Sequence, residues 1–344
     1  MGYRLTKGNS FPLSIDTLIA GLPQPIQQKV CIHFGTKPSL ALVQRLQSIG
    51  YQQEALSVLQ LLVEAEPTNS QALYQLALAW NRAGKKREAK DYMQQHYEQR
   101  MRENGMQPQD NVDTLQYLLS TEGFAEPPVQ IPRAYVENLF DRFSGQFDER
   151  LLNRLDYKTP EILFEVFCDV AKNQEAFRNC KNLVDLGCGT GLAGKNFKSI
   201  CETLIGVELS SEMIEKARLT GVYNHLVVSE IVAYLASDSV PIDVFVATDV
   251  FNYFGEIEAV LIACRKRQSS GGLLAFSVEA LAVTQGNQDV GFKLASSGRF
   301  QHQQQYVISC AQSAGYAVLC CSESVLRHED GNDVNGYLFV LIAK

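Results

Sequence analysis

No stretch of this sequence approaches the roughly 20 consecutive apolar residues that a membrane helix needs. A leader is not expected either, because Asp16 breaks the one candidate run, Leu13 to Leu22, and no basic flank precedes it. Histidine is scarce, with five in 344 residues, and the nine cysteines are an odd number with no C-x-x-C pair and no Cys/His ligand spacing. We therefore expect reduced thiols in a cytoplasmic protein and no metal. Excess positive charge is also missing: 31 Lys and Arg stand against 38 Asp and Glu. Residues 1 to 132 are balanced at 12 and 12, so the rest of the chain carries 19 basic against 26 acidic residues. That is a poor footprint for a sequence-independent grip on nucleic acid, and no nucleic-acid or membrane partner is expected.

A 34-residue period runs between residues 36 and 102. It aligns Leu42 with Leu76, Leu46 with Trp80, Gly50 with Gly84, Ala55 with Ala89 and Leu59 with Met93. Large apolar residues thus recur where two antiparallel helices would face each other, and the glycines fall at the turn between them, where a left-handed backbone is cheap. Pro67 occupies the next connection, before a helix capped by Thr68, Asn69 or Ser70. The segment Q-A-L-Y-Q-L-A-L-A-W-N-R-A-G-K-K-R-E-A (71 to 89) resembles a tetratricopeptide repeat. The first copy (36–69) departs at Ser39 and the second (70–103) at Met101, and two copies bury so little core that helices from residues 11 to 34 or 111 to 120 are expected to cap them. Gly, Pro and polar residues concentrate in 104–132 and mark a linker, which divides the chain into an all-α unit over 1–125 and a second unit over 126–344.

From Lys181 onward, apolar runs of strand length alternate with amphipathic helical segments, as in a doubly wound parallel sheet. Strands are expected at 182–187, 203–208, 224–228, 242–248, 271–278, 316–325 and 335–343. Seven strands with a closing hairpin make an α/β, Rossmann-like domain. The first strand runs into D-L-G-C-G-T-G (185 to 191), placing Asp185, Gly187, Gly189 and Gly191 at a strand-to-helix turn. Glycine there lets a nucleoside approach the backbone, and the acid ahead of it suits a cofactor with a cationic ammonium and no pyrophosphate. Gly189, Gly191 and Gly194 also satisfy G-x-G-x-x-G, so a nicotinamide dinucleotide stays open at this point. Glu208 ends the second strand, where a carboxylate accepts hydrogen bonds from both ribose hydroxyls.

The stretch V-E-L-S-S-E-M-I-E-K-A-R (207 to 218) resembles the segment after the acid in class I S-adenosylmethionine-dependent methyltransferases. The resemblance implies a cofactor site that takes in Leu209, with Met213 beside the adenine, Glu230 near its amine, and Asp249 and Tyr253 at the transferred methyl group. The D-V-F-N-Y stretch (249 to 253) looks like that of enzymes acting on small molecules, since it lacks the Asn/Asp-Pro-Pro-Tyr/Phe and Pro-Cys motifs of amide, adenine and cytosine enzymes. Upstream, A-Y-V-E-N-L-F-D-R-F-S-G-Q-F-D-E-R (134 to 150) is similar to the lid of bacterial tetratricopeptide-containing methyltransferases, with Ser144 in place of the usual Ala. The likeness runs from about residue 36 to 344, through S-G-R-F-Q-H (297 to 302) and E-S-V-L-R-H-E-D-G (323 to 331). It implies fold, cofactor and domain pairing, and no particular substrate.

Lid helices are expected over 133–173, with Tyr135, Phe143 and Phe147 closing over the cofactor. His302 and Tyr253 are the candidates to take a substrate proton, and Arg299 and Arg327 those to hold a carboxylate or phosphate. The expected function is methyl transfer from S-adenosylmethionine to an O, N, S or C atom of a small molecule. The alternatives are a protein acceptor recruited by the repeats, a non-catalytic adaptor, and an NAD(P)-dependent oxidoreductase.

Overall fold

The computed structural model describes residues 15–24, 27, 37–143, 145, 156–237, 240–284, 290–329 and 331–344. They form two compact units, Met1–Glu126 and Pro127–Lys344. Among the described residues no helix is long and apolar enough to cross a membrane.

The first unit is helical: α1 (Ile15–Ala20), α2 (Leu40–Ser48), α3 (Gln52–Ala65), α4 (Ser70–Arg82), α5 (Lys86–Glu103) and α6 (Val112–Thr121). The 34-residue period is visible as two hairpins, α2–α3 and α4–α5. Gly50 and Gly84 sit in the turns at φ +89° and +76°, left-handed values with nothing within 4 Å of an added Cβ, so the backbone angle alone selects glycine there. Ser39 Oγ accepts from Leu42 N–H at 3.3 Å and Asn69 Oδ1 from Ala72 N–H at 3.0 Å, starting the first helix of each hairpin. The departure at Ser39 thus serves as a cap. Leu42, Leu46, Leu59, Leu76 and Trp80 share one buried cluster with Ile15, Leu18 and Ile19 of α1, and Met93 packs with Ala77 and with Leu119 of α6.

The second unit contains α7 (Arg133–Phe143), α8 (Thr159–Ala171), α9 (Glu175–Arg178), β1 (Asn182–Leu186), α10 (Leu192–Phe197), β2 (Thr203–Glu208), α11 (Ser211–Thr220), β3 (His225–Val228), α12 (Ile231–Ala236), β4 (Val244–Ala247) and α13 (Glu258–Lys266). It continues with β5 (Leu273–Ala280), β6 (Phe292–Leu294), β7 (Phe300–His302), α14 (Gln304–Ser313), β8 (Tyr316–Glu329) and β9 (Asn332–Ala343). The sheet runs β3-β2-β1-β4-β5, all parallel; β9 lies antiparallel on β5 and β8 on β9. All seven expected strands are present, and the sheet holds two more, because β5 outlasts its pairing with β4, which ends at Phe276, and its last residues, Glu279 and Ala280, pair with β7, which pairs with β6.

Both faces of the sheet are covered, which explains its continuous apolar strands. Phe245 and Ala247 join Phe276, Phe339 and Leu341 on one face, while Val244 and Val246 join Leu163, Phe167 and Phe197 on the other. The carboxyl ends of β1, β2, β4 and β5 therefore open along one edge, the place where open α/β sheets bind ligands. A register shift between Val325 and Arg327 interrupts the pairing of β8 with β9, and Thr159 Oγ1 holds the backbone there by donating to Leu326 O at 2.9 Å.

Candidate active site

After β1 the chain turns through Gly187, Gly189 and Gly191 at φ +67°, +52° and +97°. The turn is fastened to β2, since Gly187 and Cys188 N–H both donate to Val207 O, at 2.8 and 3.0 Å. Glu208 follows Val207, and its carboxylate accepts from the N–H of Leu209 (2.7 Å), Ser210 (3.0 Å) and Gly189 (3.1 Å). Burial raises the Glu208 pKa and these three bonds oppose the rise. With about four lone-pair sites on a carboxylate, three are used and one is left for a ligand.

Beneath the turn lies a residue that the sequence did not single out. The Tyr223 ring occupies the space a Cβ would take at Gly191, Gly194 and Gly206, with Tyr223 Oη 2.4 Å from such an atom at Gly194. Its hydroxyl donates to Asp185 Oδ2 at 2.6 Å. Asp185 Oδ1 is buried with no hydrogen bond of its own, and burial pushes the carboxyl up to about 7 against the pull of the Tyr223 bond, with Glu208 adding to the rise. The glycine pattern therefore serves this ring as much as any ligand.

A cavity of about 420 Å³ opens over these residues, within the usual range of roughly 300 to 1,000 Å³ for small-molecule sites. One end is lined by Gly187 to Thr190, Leu192, Ala193, Glu208, Leu209, Ser229, Glu230 and Ile231. The other is lined by Asp249, Asn252, Tyr253, Tyr157, Arg299, Arg327 and Glu329. Tyr135, Val136, Leu139 and Phe140 of α7 form a further wall. Backbone bonds from Ile131 N–H to Tyr253 O (2.9 Å) and from Gly255 N–H to Val129 O (2.8 Å) hold the segment before α7 against the loop after β4. Asp141 Oδ1 accepts from Ser210 Oγ at 2.5 Å, and that Oγ also accepts from Met213 N–H as the cap of α11.

The far end carries a cluster of charges. Arg327 reaches Asp249 (3.3 Å), Glu279 and Glu329 (3.4 Å), and Arg299 reaches Glu279 (2.7 Å) and Glu329. Burial opposes the Arg327 charge, yet Asp249 and Glu279 outweigh it and raise its pKa. Asp249 is held at φ +54°, with its N–H on Ser277 Oγ at 2.9 Å, and burial raises its pKa first, while Arg327 pulls it down.

Of the sequence candidates, Gly187, Gly189, Glu208, Leu209, Glu230, Asp249, Tyr253, Arg299, Arg327 and Tyr135 line this one cavity. Asp185 and Gly191 lie beneath the turn rather than on the cavity wall, both against Tyr223. Met213 is fully buried on the inner side of α11 and does not line the cavity. The expectation for His302 needs correction. It is wholly buried, absent from the cavity wall, bonded through Nε2 to Gly255 O at 3.1 Å, and pushed down to about 4 by burial, so it is a neutral core histidine. The two arginines are ion-paired with the same carboxylates, Arg299 through Nε and Nη2 and Arg327 through both terminal nitrogens. Phe147 and the side chain of Phe143 lie outside the described residues.

Residues 184–276 match the model of the methyltransferase domain family. No curated protein is similar to the chain. Among solved structures, the chain is similar to magnesium protoporphyrin IX methyltransferase from Synechocystis PCC 6803 with bound S-adenosylmethionine, at 12% identity and TM-score 0.45 over 62% of this chain and 97% of that one. It is also similar to an S-adenosylmethionine-dependent methyltransferase from Clostridium acetobutylicum (15%, 0.43, 60% and 99%). A third is the N-methyltransferase NodS from Bradyrhizobium japonicum with S-adenosylhomocysteine (14%, 0.46, 60% and 97%). Residues 184–276 thus belong to a methyltransferase domain, and the enzyme class and cofactor expected from the sequence, an S-adenosylmethionine-dependent methyltransferase, are borne out.

Proposed function

We propose that this methyltransferase moves a methyl group from S-adenosylmethionine to an O, N, S or C atom of a small molecule held at the far end of the same cavity. The observation that carries this reading is the continuity of that cavity, from the glycine turn and Glu208 at one end to Asn252, Tyr253 and Tyr157 at the other. The bound cofactor supplies an electrophilic methyl group on a sulfonium, which suits an in-line displacement governed by orientation and exclusion of water.

In this reading Glu208, fixed by three backbone N–H groups, offers its remaining acceptor site to a ribose hydroxyl without rearranging, and Leu209 and Ile231 offer apolar surface to the adenine. Two carboxylates, Asp185 and Glu208, flank the turn and interact, which favours a cationic ligand there and disfavours the pyrophosphate of a nicotinamide dinucleotide. Tyr135, Val136, Leu139 and Phe140 exclude water. Tyr253, its pKa pushed up to about 12 by burial, keeps its proton at neutral pH and orients the acceptor as a hydrogen-bonding group rather than as a base. The paired hairpins of the helical unit support a tetratricopeptide-like module at about 1–125 that recruits a protein partner in the cytoplasm.

Calorimetric titration of the purified chain with S-adenosylmethionine, S-adenosylhomocysteine and NADH tests the reading. Both sulfur nucleosides should bind at about micromolar affinity, NADH should not, and Glu208→Ala should abolish binding. Absence of nucleoside binding in a folded preparation would overturn it, and NADH binding in its place would favour an oxidoreductase.

A further inference from the structure

We infer that the methyl acceptor carries an amine, held in its ammonium form against the wall made by Asp249, Asn252, Tyr253 and Glu329, and is not a carboxylate or phosphate. The inference rests on the methyltransferase reading and concerns only the far end of the cavity. The strand order separates the two ends. The turns after β1, β2 and β3 carry the nucleoside-binding residues, while the loop after β4 and the strands β5, β7 and β8 build the opposite wall.

Three features of that wall favour a cation. The first is charge: two guanidiniums, Arg299 and Arg327, face three carboxylates, Asp249, Glu279 and Glu329. Among the described residues, the hydrogen bonds of the two side chains go to those acids, through Nε and Nη2 of Arg299 and both terminal nitrogens of Arg327. An anionic acceptor would meet two guanidiniums already outnumbered by carboxylates, and any arginine nitrogen it drew away would leave an acid uncompensated. A third guanidinium on the cavity wall, Arg133, is paired with Glu137 at 3.7 Å.

The second feature is Asn252. It lines the cavity although only 1% exposed, and its Oδ1 is buried with no hydrogen-bond partner. A buried carbonyl oxygen without a donor is costly unless a ligand supplies one, and it repels an anion. The third is aromatic: Tyr135, Phe140, Tyr157 and Tyr253 all line the cavity, with the Phe140 and Tyr253 rings 5.7 Å apart. Ring faces attract cations and offer nothing to anions. An excess carboxylate, an unpaired carbonyl and several aromatic rings suit an N–H-bearing cation attached to an apolar or aromatic body.

Matched pairs that differ in one group test this on the whole chain saturated with S-adenosylhomocysteine: phenethylamine against phenylacetate, and tyramine against 4-hydroxyphenylacetate. Melting-temperature shifts and calorimetry report binding without any turnover. The amines should bind and the acids should not. Glu329→Gln, which evens the charges, and Asn252→Leu, which removes the carbonyl, should each weaken amine binding by about tenfold or more. S-adenosylhomocysteine affinity, measured first in each variant, reports whether the site is folded. Acids binding as well as amines would overturn the inference. So would amine affinity unchanged in both variants, or silence from both series in protein that binds S-adenosylhomocysteine. Failure of S-adenosylhomocysteine to bind the unaltered chain would instead remove the reading on which the inference stands.

Discussion

Tyr223→Phe isolates one hydrogen bond beneath the glycine turn. The ring that fills the space against Gly191, Gly194 and Gly206 stays, and only the hydroxyl on Asp185 Oδ2 is lost. In the unaltered protein the Asp185 carboxyl is raised from 3.8 to about 7, chiefly by burial. A raised carboxyl means that the folded state binds its proton more tightly than the unfolded state. The associated stability is therefore complete below about pH 4 and is lost as pH rises to about 7. A hydrogen bond to a charged group contributes roughly 1.5 to 3 kcal/mol and one between neutral groups roughly 0.5 to 1.5, so the hydroxyl favours the ionised form by about 1 to 1.5 kcal/mol, or about one pH unit.

Without the hydroxyl, the folded-state pKa of Asp185 should rise to about 8, and the loss of stability should continue over one further unit of pH. The variant should be about 1 kcal/mol less stable than the unaltered chain at pH 5 and about 2 kcal/mol less stable at pH 9. Tyr223 itself does not titrate in this window, because burial raises its pKa well above 10. The assay is urea denaturation at a series of pH values, following the transition that S-adenosylhomocysteine shifts, since two units do not unfold as one two-state system. The same difference at pH 5 and pH 9, or none at either, would refute the coupling between Tyr223 and Asp185.

His302→Gln should leave the pH dependence of methyl transfer unchanged between pH 6 and 8, because a histidine held neutral down to about pH 4 supplies no titration there; a lost or displaced limb would restore it as a base. Gly194→Ala should destabilise the second unit by about 1 to 3 kcal/mol, since its Cβ would fall 2.4 Å from Tyr223 Oη, and Gly194→Ala combined with Tyr223→Ala should cost less than the sum of the two when measured by urea denaturation. Gly84→Ala, with open space but φ +76°, should cost the helical unit only about 1 kcal/mol by the same assay, and a loss of several kcal/mol would refute backbone strain as the sole cost.

The sequence announced what repeats or alternates. A 34-residue period brought out both hairpins, because a turn needing positive φ keeps Gly50 and Gly84 in register with the apolar faces beside them. All seven strands were readable because a sheet covered on both faces leaves no polar position to interrupt a run such as Val244–Ala247. Asp185, the glycine turn and Glu208 were readable because they sit at the ends of such runs. Residues whose part depends on a third dimension were not. Nothing in G-V-Y-N-H marks Tyr223 as the floor of the turn, since the glycines that make room for it lie 17 to 32 residues upstream. Arg327 alternates like an exposed strand residue, but the register shift after Val325 puts it and Leu326 both inside. His302, in a polar stretch, ended in the core because β7 pairs with the tail of β5.

The places of His302 and of the two arginines bear on one another. If His302 were a base and the arginines were free, the far wall would suit an acid that loses a proton on methylation. With His302 buried off the cavity wall and both guanidiniums ion-paired with carboxylates, the wall offers an acceptor no imidazole, and its two arginines are already matched by acids. The remaining polar resource is an unpartnered carbonyl among aromatic rings and an excess of acid. Such a wall can hold and desolvate an acceptor but is poorly equipped to deprotonate one. Rate would then come from placing a nucleophile in line with the methyl group and keeping water away, which is the work of α7 and the 129–131 segment fastened to Tyr253 and Gly255.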